Sequence, residues 1–127
     1  MITRSPAAPA FRIAQVQATG GLTLTGVTFS NGKALTGDGG GILNAGAVTL
    51  TSSALTGNTA VAGSGGGIYS GPGSGAAATF TTSKLSDNKA PAGNGGALYS
   101  RGGTVTFTGS SITGNLAGRR GGGVASI

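Results

Sequence analysis

The chain has no cysteine, no histidine and no glutamate, and its acidic side chains are limited to Asp38 and Asp87. The lack of cysteine excludes a disulfide framework and a thiolate metal site. Without histidine or glutamate there is no general base of the ordinary kind. Carboxylate chemistry on a glycosidic bond needs two acidic groups facing that bond. In the repeat register described below, Asp38 aligns with Ser64, Asn94 and Arg120, whereas Asp87 aligns with Asn31, Gly57 and Gly114. The two acids therefore stand in different columns, and the chain is expected to be no enzyme, to hold no metal and to need no cofactor. Long apolar runs are also missing. No apolar stretch of roughly 7–15 residues follows Arg4, as a signal peptide requires, and none approaches the about 18 apolar residues of a membrane helix. No signal peptide and no direct membrane insertion are expected within this segment.

Charge is scarce too. Eight lysines and arginines against two aspartates give a formal net charge of +6, a balance that suits nucleic acid or an anionic surface when the cations cluster. Here they are scattered at Arg4, Arg12, Lys33, Lys84, Lys89, Arg101, Arg119 and Arg120, with only the last two adjacent. They read as solvated charge that discourages sheet-edge pairing, and no nucleic-acid partner is expected.

What the chain does have is 28 glycines and repetition. The stretch GGGILNAGAVTLTSSALTGNTA, Gly39 to Ala60, returns from Gly65 to Ala90 and from Gly95 to Ala117, and starts again at Gly121. The triplet starts are 26, 30 and 26 residues apart, a period that marks a solenoid. A degenerate earlier copy, GLTLTGVTFSNGKA, occupies Gly21 to Ala34. Across the copies one inward column reads Leu22, Val48, Ala78, Val105; a second reads Leu24, Leu50, Phe80, Phe107; a third reads Phe29, Leu55, Leu85, Ile112. The glycine triplet adds Ile42, Ile68, Leu98 and Val124. Strict alternation in VTLT and TVTFT excludes a helical period, and glycine and asparagine at every segment end exclude long helices.

Three short strands per coil predict an all-β, right-handed, single-stranded parallel β-helix of about four coils of 26–30 residues, the last incomplete. A left-handed hexapeptide helix is disfavoured, because it needs a strict six-residue repeat that the sequence lacks. Residues 1–11, with Pro6 and Pro9 among alanines, read as a flexible leader, and residues 12–127 as the repeats. The longer second copy carries its excess in GPGSGAA, Gly71 to Ala77, read as a tolerated loop insertion.

Three outward or turn columns are candidates for function. Thr23, Thr49, Thr79 and Thr106, beside Thr25, Thr51, Thr81 and Thr108, form a T-x-T array of the kind that can bind ice; threonine also suits any exposed strand. Leu43, Tyr69, Tyr99 and Ala125 form another, and the two tyrosines with Arg101 nearby are a candidate for holding a sugar ring or an apolar patch. Asn58, Asn88 and Asn115 form a third, read as a structural amide ladder at a turn where asparagine tolerates left-handed backbone angles.

The segments GGGI or GGAL, then TLT or TFT, then LTGNTA, LSDNKA and ITGNLA resemble the right-handed β-helix repeats of bacterial surface proteins. They are most similar to polymorphic outer-membrane proteins and adhesin-like autotransporter passengers, whose tetrapeptides are GGA-I and F-x-x-N. GGALY, Gly95 to Tyr99, comes nearest to the first. Leu or Ile replaces Phe in the second, at Leu55 to Asn58, Leu85 to Asn88 and Ile112 to Asn115, while Phe29 to Gly32 keeps the Phe and loses the Asn. The resemblance covers Gly20 to Ile127 and implies a pectin-lyase-like fold and an extracellular or outer-membrane location. It also implies a stalk or adhesive role within a larger secreted or surface-displayed protein. Expected partners are a glycan or a host or cell-surface protein, and further β-helix coils of the same parent chain. The alternatives are an ice-binding solenoid and a fragment of a polysaccharide lyase-like enzyme whose catalytic coils lie elsewhere. Because the fourth coil stops at GGGVASI, the isolated chain is expected to self-associate through its C-terminal edge or to be marginally stable.

Overall fold

The computed structural model describes residues 1–73 and 75–127. Among these there is no helix; every regular element is a strand of two to five residues. The chain winds as a parallel solenoid whose turns stack into four sheets, each built from equivalent strands of successive turns.

The first sheet stacks Ala14–Val16, Ile42–Asn44, Ile68–Ser70, Leu98–Ser100 and Val124–Ser126. Its five strands give about five turns, one more than the glycine triplets imply. The extra turn is the degenerate copy together with Ala14–Val16, which pairs with Ile42–Asn44 although it lacks a triplet. The second sheet stacks Gly21–Thr25, Ala47–Thr51, Ala77–Thr81 and Thr104–Thr108. The third places Ile2–Thr3 before Thr28–Ser30, Ala54–Thr56, Lys84–Ser86 and Ser111–Thr113. The expected three strands per turn are joined by a fourth of only two residues: Lys33–Ala34, Thr59–Ala60, Lys89–Ala90 and Leu116–Ala117. Such a strand has one inward residue, always alanine, too little for an alternation to appear in the sequence.

The register stacks like on like. Val48 lies beside Leu22 and Ala78, Leu50 beside Leu24 and Phe80, and Leu55 beside Phe29 and Leu85. Ile42, Leu50, Leu55, Ile68, Phe80, Leu85 and Leu98 are fully buried in one continuous core. Each such side chain contributes about 1.5–3 kcal/mol of burial, which only adjacent turns make available. Phe80 and Phe107 stack at 4.8 Å with a 13° interplanar angle. The corner before the first sheet explains the triplets: Gly39, Gly65, Gly95 and Gly121 all have φ between +61° and +69°. At the next position a Cβ on Gly40, Gly66 or Gly96 would meet the main chain of a neighbouring turn within 2.4 Å, so two different constraints demand glycine there.

Within the segment expected as a flexible leader, Ile2 and Thr3 pair with Phe29 and Ser30. Arg4 follows as a buried anchor, its Nε donating to the carbonyl of Asn31 at 2.8 Å and Nη1 to those of Ser5 and Ala8 at 3.0 and 2.9 Å. A short strand needs only two residues to add to an existing edge, which is why alanine and proline nearby concealed it. The insertion expected at Gly71 to Ala77 lies between the first and second sheets, where Gly71 to Ala76 replaces the Ala45–Gly46 link of the preceding turn; its Ser74 lies outside the described residues.

Candidate functional site

Polar side chains in this solenoid divide into those spent on corners and those left outward. Asn58 and Asn88 are fully buried. Asn88 Oδ1 accepts both the N–H and the Nδ2–H of Asn58 at 3.0 Å, while Asn88 Nδ2 donates to the carbonyl of Leu55 at 2.9 Å. Asn115 Oδ1 accepts from Asn88 N and Nδ2 at 2.9 and 3.0 Å. The left-handed backbone at this corner belongs to the column one residue earlier, Asn31, Gly57, Asp87 and Gly114, which precedes Gly32 and the three asparagines. The asparagines are thus inward hydrogen-bonding residues, and tolerance of positive φ is not their role.

Two further ladders use the same device. Ser53 N donates to Ser83 Oγ at 3.2 Å and Ser83 N to Ser110 Oγ at 3.0 Å. At the corner before the first sheet the direction reverses: Ser64 N donates to Asp38 Oδ1 at 2.7 Å, Asn94 N to Ser64 Oγ at 3.0 Å, and Arg120 N to Asn94 Oδ1 at 3.1 Å. Asp38 therefore accepts a main-chain N–H, and Asp87 sits at a different corner with φ of 56°. The structure does not bring the two carboxylates to one site. Asn44, fully buried, links turns by donating to Ser70 Oγ and the Ala77 carbonyl.

The threonine array is in register, Thr23, Thr49, Thr79 and Thr106 in one row and Thr25, Thr51, Thr81 and Thr108 in the next. The middle four are half-buried and the outer four exposed. Spacings on such a sheet are about 4.8 Å between turns and about 6.7 Å along a strand.

Tyr69 and Tyr99 are adjacent, with ring centroids 5.7 Å apart at 47°. Their environments differ. Tyr69 is only 5% exposed although its strand position is outward, whereas Tyr99 is half-buried. Burial pushes the Tyr69 phenol up from its ordinary value; a hydrogen bond from Arg101 draws it partly back, and the Asp38 carboxylate adds to the rise.

Tyr99 instead borders a cavity of about 330 Å³ with Asn94, Arg119, Arg120 and the segment Ala125 to Ile127. Sequence reasoning placed Tyr69, Tyr99 and Arg101 together and treated Arg119 and Arg120 as surface charge. The overlooked signal is a break in the repeat: a glycine followed by a hydrogen-bonding residue in Gly37–Asp38, Gly63–Ser64 and Gly93–Asn94 becomes Arg119–Arg120.

Residues 82–101 match the Chlamydia polymorphic membrane protein repeat, a segment that contains both Leu85 to Asn88 and Gly95 to Tyr99. No curated protein and no solved structure matches the chain. The matched repeat and the parallel solenoid together support a β-helix repeat surface protein.

Proposed function

We propose that the chain is a non-enzymatic β-helix segment of a larger secreted or surface-displayed bacterial protein, serving as a stalk or adhesive surface. The observation that carries this reading is the allocation of side chains. Inward positions are taken by apolar stacks and by the asparagine ladder, and Asp38 is spent on a corner hydrogen bond. The outward groups that remain, threonine rows, one accessible tyrosine and dispersed cations, suit contact better than bond cleavage. The similarity of residues 82–101 to a polymorphic membrane protein repeat supports placement at a cell surface.

Brief trypsin treatment of intact source cells tests the location: peptides ending at Lys84, Lys89 or Arg101 are expected in the supernatant before lysis. Their release only after lysis would contradict surface display. Incubation of the purified chain with acidic and neutral polysaccharides, with and without calcium, tests the chemistry. No reducing or unsaturated ends are expected; their release, lost in Asp38→Asn or Asp87→Asn, would show an enzyme.

A further inference from the structure

Where the chain leaves the fourth sheet, the residue after the inward alanine is apolar in three successive turns: Leu35, Val61 and Pro91. Thr36, Ala62 and Ala92 follow and are exposed. Stacking continues past the strands, since Val61 N donates to the Ala34 carbonyl at 2.8 Å, so these side chains form a stripe along the solenoid. The two preceding corners carry instead Gly26, Ser52, Thr82 and Gly109, and Asn31, Gly57, Asp87 and Gly114. The core does not demand the apolar choice, because Leu35 is 55% exposed and Pro91 is exposed as well. At its Leu35 end the stripe opens on a hollow of about 410 Å³, lined by Phe11, Arg12, Lys33 and Leu35 among others, with Phe11 itself 49% exposed. Lys33 and Lys89 stand outward on the strands just before Leu35 and Pro91, and neither ammonium donates a hydrogen bond among the described residues. The two acids are directed elsewhere: Asp38 Oδ1 accepts from Ser64 N at 2.7 Å, and Asp87 Oδ1 lies over Gly114 of the next turn.

We propose that this corner docks an acidic, apolar segment of a partner protein, an aliphatic side chain seated in the hollow against Phe11 and Leu35 and carboxylates set against Lys33 and Lys89. An apolar centre with a polar rim is how protein interfaces are built, and the hollow falls within the range of binding pockets, about 300–1,000 Å³. Charge decides the occupant. A second copy on the same patch, related by two-fold symmetry, would bring these lysines against themselves, and like charges across an interface cost affinity. An anionic membrane is a poorer fit, because lipid binding sinks apolar side chains into the headgroup boundary, whereas Phe11 and Leu35 face a hollow. The proposal gives the adhesive role a particular surface and partner class and rests on that reading. The stalk role and surface display do not depend on it.

Fluorescence anisotropy of a labelled short peptide of alternating glutamate and leucine, titrated with the 127-residue chain, tests the proposal. Saturable binding is expected that weakens as salt is raised, with at least about a tenfold loss when glutamine replaces the glutamates or serine the leucines. Lys33→Gln with Lys89→Gln, and separately Leu35→Ser, should each weaken binding by about tenfold, while Lys33→Arg with Lys89→Arg retains it. These side chains point outward, so thermal melting of each variant should match the parent; were Leu35→Ser to melt lower, the lysine pair and the peptide series would still decide. Equal binding of the glutamate and glutamine peptides, or indifference to both the lysine and the Leu35 changes, would overturn the proposal. Binding to phosphatidylglycerol vesicles without binding of the peptide would overturn it in favour of a membrane. A concentration-dependent dimer lost in Leu35→Ser, again with no peptide bound, would overturn it in favour of a second copy.

Discussion

The turn containing Ile42, Val48, Leu50 and Leu55 and the turn containing Leu98, Val105, Phe107 and Ile112 present similar apolar residues at the same positions. In the first, all four are at most 1% exposed; in the second, Leu98 is buried while Val105, Phe107 and Ile112 are half-buried. The earlier turn has a neighbour on each side along all four sheets, whereas Thr104–Thr108 and Ser111–Thr113 are edge strands. Burial in this fold is therefore a property of stacking and not of the residue, as expected for a quasi-one-dimensional array. The same contrast runs through the polar ladder: Asn88 is bonded from both sides, Asn115 from one.

The largest expected effect breaks the stack at its centre. Phe80→Ala should cost about 3–5 kcal/mol in equilibrium unfolding, and Phe107→Ala, on the edge strand, clearly less. Equal costs would show that position in the stack does not govern burial energy. Next comes the ladder. Asn88→Ala removes the acceptor of two Asn58 hydrogen bonds and the donor to Leu55, and should cost at least about 1–3 kcal/mol. Asn115→Ala should cost less, because the groups it strands lie nearer solvent. At the outward end of the scale, Thr79→Ala, one residue from Phe80, should stay within about 0.5 kcal/mol. A large loss there would mean that the threonine rows are structural.

The smallest effect separates the two tyrosines. A phenol whose native pKa is raised stabilises the fold fully below its unfolded value of 10.0, and that stability is lost as pH rises through the native value. Stability should thus fall in alkaline solution above about pH 10, and Tyr69→Phe should flatten that fall measurably. An alkaline limb unaltered by Tyr69→Phe would show that Tyr69 is not held in its neutral form by burial.

The apolar columns and the separation of Asp38 from Asp87 were legible because the period carries them: once the 26-residue offset is set, each residue's neighbours follow. Two-residue strands were not, since Lys33–Ala34 or Ile2–Thr3 is too short to show alternation. The burial of Tyr69 and the exposure of Tyr99 were hidden for a different reason. The two share a strand position, and their environments are set by whether Arg101 and Asp38 or the Arg119–Arg120 corner stands beside them. Offsets within a repeat reveal what stacks on what, but not which corner folds over an outward ring.

Native-state amide hydrogen exchange compares the two kinds of turn in one experiment. The N–H groups of Ser53, Asn58, Ser83 and Asn88 each donate to a side chain of the following turn, and should exchange only through openings close to the global unfolding free energy. Ser110 and Asn115, the equivalent positions on the edge strands' turn, have no such acceptor among the described residues and should exchange much faster. Equal protection at Asn88 and Asn115 would contradict the claim that stacking by adjacent turns holds this fold together.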